Sequence, residues 1–196
     1  CCTTILTIGL LHRQQVEAVA VLTLRRCQGV NFEDLQALAS LKKLHISHLD
    51  ITDKQLGTCL RGLRSLTSLE IDNCSNITSL PHVESSSGLT TLHIRQCSKL
   101  SSLHSLPSFA ALESMWIDNC SKLTVESFPG DFSSLGSLRK LNIMCCTGLE
   151  SLPNGFPSSL QVLDLVGCKP ALLNQLQLKD GPEWDKIAHI PIKRIH

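Results

Sequence analysis

Apolar residues recur along the chain in one short unit, of the form apolar-x-x-apolar-x-apolar-x-x-Cys. Leu66, Leu69, Ile71 and Cys74 form one copy. Seven clear copies begin at residues 19, 41, 66, 89, 112, 138 and 160. A unit of this length cannot bury an apolar face by itself, so neighbouring copies must stack on one another. The spacing therefore predicts an elongated repeat protein rather than a domain with one irregular core.

Each copy contains an alternating Leu-x-Leu/Ile segment, which is typical of a β-strand with one buried face. Stacked copies would pair such strands into a parallel sheet over a continuous leucine core. Successive copies start 22 to 26 residues apart, within the range of about 20–29 residues for leucine-rich repeats. The predicted fold is an α/β repeat solenoid, a leucine-rich-repeat horseshoe with a parallel concave sheet and an irregular or short-helical convex side.

The convex segments differ from one repeat to the next. Thr52 and Gln55 have the spacing of a capping box and predict a helix that runs through Leu60. Asn31 predicts the start of another helix. Later segments are rich in Ser, Pro and Gly, which favours extended or 3₁₀ structure.

The repeats occupy residues 1–169, with a weak first copy at Thr3–Leu11, and residues 170–196 have no repeat. A short helix is predicted after Pro170, and Gly181-Pro182 should break it. Trp184, Ile187, Ile190 and Ile192 follow at spacings suited to covering the last repeat. Because an open solenoid end exposes core leucines, we expect this segment to be a terminal cap.

Six of the ten cysteines occupy the last position of the repeat. A small thiol packs well where the chain turns inward after a strand. We therefore expect Cys74, Cys97 and Cys120 to be reduced, buried and inert.

The sequence carries no signature of catalysis or of a resident cofactor. It lacks a Gly-x-x-x-x-Gly-Lys-Ser/Thr loop, a Gly-x-Ser-x-Gly motif, a His-Glu-x-x-His motif and a Cys-x-x-Cys pair. The prediction is a non-enzyme with no metal site. The net charge of +1 disfavours nucleic acid as a partner, and no apolar run approaches the ~18 residues of a membrane span.

Function is expected on the concave face, where the residues between the buried leucines project. One predicted column reads Thr23, His45, Glu70, His93, Trp116, Asn142, Asp164, and the next reads Arg25, Ser47, Asp72, Arg95, Asp118, Met144, Val166. The mixed charge and the large aromatic ring favour a protein partner. Nine side chains are the predicted partner-binding residues: His45, Glu70, Asp72, His93, Arg95, Trp116, Asp118, Asn142 and Asp164. The alternatives are a merely solvated surface and, for Trp116, packing beneath a loop at Phe128–Phe132.

Two features resemble a known family. The first is the repeat followed by Ser-Leu-Pro, as in Cys74 running to Pro81 and Cys146 running to Pro153. The second is the ending Gly181–Pro191. One departure from the family pattern is Lys169, which interrupts the usual Cys-Pro pair between Cys168 and Pro170. Both features are similar to the carboxy-terminal repeats of plant coiled-coil nucleotide-binding leucine-rich-repeat (NB-LRR) disease-resistance proteins.

The resemblance implies an immune receptor in the cytoplasm or nucleus. Its repeats would sense a pathogen effector, directly or through a guarded host protein, and would restrain a nucleotide-binding domain. ATP or ADP would bind only to that domain, which would lie upstream of this segment.

Two other protein classes use similar repeats. The substrate receptors of F-box ubiquitin ligases also carry Cys at this position, and Asp50–Asp53 is reminiscent of them. Extracellular receptor-like proteins normally carry Leu-x-Gly-x-Ile-Pro after the strand, and no unit here does. The F-box substrate receptor is therefore the main alternative.

Overall fold

A computed structural model describes residues 19–83 and 88–196. Within them, eight strands form one parallel sheet, and each strand pairs with its neighbours in chain order. The strands are β1 (Val21–Arg25), β2 (Lys43–Ser47), β3 (Ser68–Asp72), β4 (Thr91–Arg95), β5 (Ser114–Asp118), β6 (Lys140–Met144), β7 (Val162–Val166) and β8 (Ile192–Ile195). The predicted leucine-rich-repeat solenoid is confirmed. The weak copy at Thr3–Leu11 lies outside the described residues.

The sheet is in register from β1 to β7, because every strand places its two apolar residues at the second and fourth positions. Leu69, for example, pairs with Leu92, and Ile71 pairs with Ile94. These inward side chains are at most 6% exposed in all seven repeat strands. The stack of identical positions forms the core that the repeat pattern predicts.

The chain turns sharply after each repeat strand. The next residue has a positive φ between 49° and 60° in all seven cases: Arg26, His48, Asn73, Gln96, Asn119, Cys145 and Gly167. Its backbone N–H donates to the carbonyl at the end of the following strand, as Gln96 N does to Asp118 O at 2.9 Å. This left-handed turn extends the ladder by one bond and directs the following residue into the core.

In six of the seven repeats that following residue is the repeat cysteine, and after β2 it is Leu49. The predicted burial of Cys74, Cys97 and Cys120 is confirmed, and Cys146 and Cys168 are buried as well. The thiols donate to backbone carbonyls at the strand ends, as Cys97 Sγ does to Arg95 O at 3.3 Å. Burial raises the pKa of Cys97 and of Cys146 to about 12. Cys27, in the first described repeat, is half-buried instead.

Between β1 and β7, the described residues of the convex side contain one α-helix, α1 (Asp53–Gly62). It begins at the predicted capping box: Gln55 N donates to Thr52 Oγ1 at 3.4 Å, and Thr52 N donates to Gln55 Oε1 at 3.0 Å. Single 3₁₀ turns occur at 106–108 and 125–127, as the composition of the later repeats predicts.

The prediction of a regular helix after Asn31 is wrong. A 3₁₀ turn, Asp34–Ala37, stands in its place, and Asn31 Oδ1 accepts a bond from Glu33 N at 3.1 Å. This repeat is three residues shorter than the one that contains α1, so too little chain remains for a regular helix before β2 begins.

The carboxy-terminal segment folds as α2 (Pro170–Gln177), α3 (Pro182–Asp185) and β8. Ile187 and Ile190 are fully buried against the last repeat. Glu183 accepts a bond from Leu152 N at 2.7 Å, and Lys186 donates to Leu152 O at 2.8 Å. The segment is thus fastened to the convex side as well as to the core.

One expectation for this segment fails. Ile192 does not cover the last repeat but stands 46% exposed, because it pairs with Val162 at an outward position of the sheet. Lys193 takes the inward position beside Leu163, and its ammonium reaches the carbonyls of Ala188 and Ile190. The aliphatic stem can therefore lie in an apolar slot while the charge is satisfied at its rim.

Candidate functional site

The strand register aligns the outward side chains of the concave face into columns. The middle column is continuous from β1 to β8 and reads Thr23, His45, Glu70, His93, Trp116, Asn142, Asp164 and Arg194. The column beside it reads Arg25, Ser47, Asp72, Arg95, Asp118, Met144 and Val166. All nine predicted partner-binding residues therefore lie on one surface.

The amino-terminal half of this surface is organised around Glu70. Arg95 donates to Glu70 Oε1 at 2.5 Å, and His45 Nδ1 lies 3.9 Å from Glu70 Oε2. In the next column the hydroxyl of Ser47 donates to Asp72 Oδ2 at 3.2 Å. The side chain of Arg95 is 43% exposed, so solvent screens this network and its contribution to stability is small.

Trp116 is half-buried at the midpoint of β5. The imidazole of His93 lies 5.4 Å from the indole, between ring centroids, and Lys140 Nζ lies 5.3 Å from the indole centroid. Both neighbours come from adjacent strands. Phe128 and Phe132 instead pack against each other in the core, with ring centroids 5.8 Å apart.

The pKa of His93 reflects its partial burial beside Trp116. Burial lowers the pKa of His93 below its usual range, and the nearby Arg95 and Lys140 act in the same direction while Glu70 opposes them. A lowered pKa favours the uncharged form of the imidazole beside the Trp116 ring.

Asn142 requires a correction. It lies in the middle column, but it is only 1% exposed and cannot meet a partner directly. Its amide stands between the indole N–H of Trp116 and the carboxylate of Asp164. An indole N–H can only donate and a carboxylate can only accept, so the amide oxygen must face Trp116 and the amide nitrogen must face Asp164. Asn142 is thus a buried support for Trp116.

Two residues of this surface were absent from the predicted set. Lys140 is the first residue of β6, at an outward position beside Ser114, and its ammonium lies over the Trp116 ring. Arg194 extends the middle column into the cap, where its guanidinium lies 3.4 Å from Asp164. The alternation of β6 places Lys140 outward and was a usable signal. Arg194 had none, because Ile192–Ile195 lacks the repeat pattern.

The outward side chains of this face include polar, charged and aromatic groups that can contact a partner protein. Across residues 19–83 and 88–196, no three His, Cys, Asp or Glu side chains come together as a set that could hold a metal ion. In the same ranges no helix is long and apolar enough to cross a membrane. The face is that of a protein-interaction scaffold.

Comparison with known proteins gives a family. A solved structure of an internalin, InlF from Listeria monocytogenes, is similar over 94% of this chain and 63% of that one, with 16% identity and a TM-score of 0.38. The chain therefore spans 63% of the length of that internalin. No curated protein matches the chain significantly. The family model described as At1g61320/AtMIF1, LRR domain, matches residues 4–108. Because this match covers more than half of the 196 residues, the chain belongs to this leucine-rich-repeat domain family.

Proposed function

We propose that this leucine-rich-repeat domain is the recognition region of an intracellular plant immune receptor. Its concave face would bind a pathogen effector, or a host protein that the receptor guards. The same domain would hold an upstream nucleotide-binding domain, with its ATP or ADP, in the resting state. The whole receptor would act in the cytoplasm or nucleus.

The observation that carries the recognition role is Trp116, a large ring kept half-exposed in the middle of a polar sheet. Aromatic and arginine side chains dominate the energetics of protein interfaces. Asp118 lies at the end of β5, the strand that carries Trp116, and Arg95 lies at the end of the neighbouring strand β4. An aromatic anchor rimmed by polar groups is the arrangement that a protein partner requires.

The charge of the surface supports a protein partner as well. The outward residues of the eight strands include five basic and four acidic side chains. The basic ones are Arg25, Lys43, Arg95, Lys140 and Arg194, and the acidic ones are Glu70, Asp72, Asp118 and Asp164. A near-neutral face does not attract a phosphate backbone. Opposite charges placed side by side instead select a partner surface with a matching pattern.

The receptor assignment rests on the sequence resemblance. The repeats ending in Ser-Leu-Pro and the segment Gly181–Pro191 are similar to NB-LRR disease-resistance proteins. In this chain Glu183 and Lys186, both within that segment, bond to the backbone of Leu152 in a Ser-Leu-Pro stretch. The two parts that carry the resemblance therefore pack against each other as one unit.

The recognition role can be tested with Trp116→Ala, expressed in leaves within the complete reading frame that contains this chain. We expect loss of the response to the effector, or a constitutive cell-death response if autoinhibition is released. Thr23→Ala, in the same column at the other end of the sheet, is the matched control and should behave like the original protein. Accumulation and melting temperature of each variant must be measured in parallel. A Trp116→Ala protein that is stable and responds normally would refute the proposal.

The receptor assignment has a separate test in the coding sequence that precedes residue 1. We expect a nucleotide-binding domain with a Gly-x-x-x-x-Gly-Lys-Ser/Thr loop there. An F-box in its place would contradict the immune-receptor proposal and favour a ubiquitin-ligase substrate receptor.

A further inference from the structure

A row of polar groups crosses the carboxy-terminal half of the concave sheet, from Trp116 on β5 to Arg194 on β8. Asn142 links the indole N–H of Trp116 to the carboxylate of Asp164. The guanidinium of Arg194 lies 3.4 Å from one oxygen of that carboxylate and 3.5 Å from the other. The four residues occupy the same register position on four consecutive strands.

The direction of every bond in this row is fixed by chemistry. Arg194 and the indole of Trp116 are donors only, and Asp164 is an acceptor only, so the amide of Asn142 can bridge them in one orientation alone. Asn142 is 1% exposed and the side chain of Asp164 is 14% exposed. Water therefore cannot readily replace a lost partner, and a rotated indole would leave a buried amide oxygen unsatisfied.

From this geometry we infer that Asn142, Asp164 and Arg194 are positioning residues that fix the orientation of the Trp116 ring. The inference rests on the proposed function for one point only, that Trp116 is a contact residue for the partner. It assigns the terminal segment a second role beside covering the core: β8 would set the geometry of the recognition surface. Three strand spacings separate Arg194 from Trp116, about 14 Å, so Arg194 acts through the two residues between them.

The amino-terminal half of the face also has a buried outward residue, Ser47, which is 2% exposed and donates to Asp72, but it supports a carboxylate and not an aromatic ring. Glu70 and Arg95 meet directly as an ion pair, with side chains 27% and 43% exposed. Asp164 instead reaches Trp116 through the buried amide of Asn142, and Arg194, at the outer end of that row, is itself 58% exposed. The ring at Trp116 is thus held on one edge by a buried amide, while His93 and Lys140 approach it from neighbouring strands.

The test uses the indole N–H of Trp116 as a direct reporter. The chain contains two tryptophans, so Trp184→Phe leaves Trp116 as the single indole signal in a nitrogen–proton correlation spectrum. We expect this indole N–H to exchange with solvent slowly in the starting protein. Asn142→Ala should accelerate its exchange roughly tenfold or more, since the acceptor is removed.

Arg194→Met, which keeps most of the side-chain stem, tests the long-range part. It should accelerate exchange of the Trp116 indole by a smaller factor, roughly twofold to fivefold, because Asp164 is then held less firmly. Arg25→Met is the matched control: it removes an arginine from the same face at the opposite end of the sheet and should leave the indole unchanged. Backbone amides of β5 and β6, measured in the same samples, separate a selective change from general destabilisation.

Indole exchange that is the same in Arg194→Met as in the starting protein would overturn the inference. If Asn142→Ala fails to fold, Asp164→Ala provides the same comparison at the more exposed end of the row. The leaf assay distinguishes the two proposals. A changed indole with an unchanged immune response in Arg194→Met supports the positioning row and counts against recognition through Trp116. An unchanged indole refutes the row whatever Trp116→Ala does.

Discussion

The two faces of the sheet follow different rules. The buried face repeats the same two inward positions in seven strands, Leu or Met at the first and Leu or Ile at the second, all at most 6% exposed. The concave face has no common residue type: at the middle position, seven consecutive strands carry threonine, histidine, glutamate, histidine, tryptophan, asparagine and aspartate. Stacking imposes identity on the first face, because each inward side chain packs on its counterparts in the adjacent repeats. No such constraint acts on the second.

The difference explains where function can arise in such a protein. A change on the buried face disturbs two neighbouring repeats, whereas a change on the concave face alters only what a partner meets. The exceptions are two buried outward residues, Asn142 in the row from Trp116 to Arg194 and Ser47 in the neighbouring column, which are 1% and 2% exposed. At Asn142 the concave face has acquired the packing constraint of the other face. The following predictions test this division, in order of decreasing effect.

The largest expected difference is between the alkylation rates of two adjacent cysteines, Cys145 and Cys146, at the turn after β6. Cys145 is exposed and Cys146 is buried, and burial raises the pKa of Cys146 to about 12. A thiolate is the reactive form, so labelling of Cys146 requires the repeat to open first. We expect alkylation of native protein at pH 7 to be at least ~10³-fold faster at Cys145, as followed by peptide mass mapping.

The same experiment tests the other thiols of the column. Cys74, Cys97 and Cys120 should react as slowly as Cys146. Burial raises the pKa of all three, and backbone hydrogen bonds to the sulfurs only partly oppose it. Rapid labelling of any of them, or a disulfide between neighbours, would show that the buried face is not closed.

Deleting residues 181–196 should remove the end of the buried face. Ile187 and Ile190 are 0% and 1% exposed, and burying two such side chains contributes about 3–6 kcal/mol. We expect aggregation or loss of cooperative unfolding, measured by light scattering and thermal denaturation. Ile192→Thr, at an exposed position of the same segment, is the control. A deleted chain that stays monomeric with an unchanged melting temperature would show that this segment is not a cap.

Neighbouring positions on β6 allow the sharpest comparison of the two faces. Ile143 is fully buried, and Met144 points outward and is half-buried. Ile143→Ala should lower the free energy of unfolding by about 2–5 kcal/mol, and Met144→Ala by less than about 1 kcal/mol. Urea denaturation measures both values. Equal losses would contradict the division between a structural and a recognition face.

On the convex side, Asp53 ties α1 to the next repeat. Its carboxylate accepts bonds from Thr78 N at 2.8 Å and from the hydroxyls of Thr78 and Ser79 at 2.6 and 3.0 Å. Burial alone would raise the pKa of Asp53, but these bonds outweigh it and hold the pKa below its usual range.

A carboxylate with a lowered pKa stabilises the fold above its unfolded pKa of about 3.9, and the effect is lost as pH falls through the folded pKa. We therefore expect Asp53→Asn to be less stable than the original protein at pH 7, by about 1 kcal/mol or less because the site is largely exposed. The difference should shrink below pH 4. Melting curves from pH 7 to pH 3 measure it, and a difference that does not change with pH would exclude the carboxylate as its source.

The sequence predicted most of the buried face and little of the structure of the concave one. Periodicity identifies the inward residues because every repeat supplies the same evidence again. It also aligns the outward columns, but it cannot show that Asn142 is buried, since that depends on the size of its neighbour Trp116 and the charge of Asp164. β8 escaped prediction because Lys193 occupies an inward position that leucine fills elsewhere.

The left-handed turn after each strand could not be predicted from the sequence for a related reason. A left-handed residue is usually glycine or asparagine, and Asn73, Asn119 and Gly167 do carry that signal. Gln96 and Cys145 adopt the same conformation without it. The turn is therefore imposed by stacking of the repeats rather than by local preference, and the residues that fit it poorly hold some strain.

That strain gives a small predicted effect, at the junction between the two faces. Gln96 has φ 53°, and its side chain is exposed while its N–H bonds to Asp118 O. A non-glycine residue in this region costs about 1–2 kcal/mol, and glycine removes that cost but loses about 0.5–1 kcal/mol through the greater freedom of the unfolded chain. Gln96→Gly should therefore stabilise the protein by up to about 1.5 kcal/mol, measured by urea denaturation. Gly167→Ala, the reverse change at the equivalent turn, should destabilise it by a larger amount, because a Cβ there would also lie 3.3 Å from Cys145 Sγ. If Gln96→Gly destabilises the protein instead, the Gln96 side chain itself must contribute to the turn, and the two faces would be joined by side-chain contacts as well as by the backbone ladder.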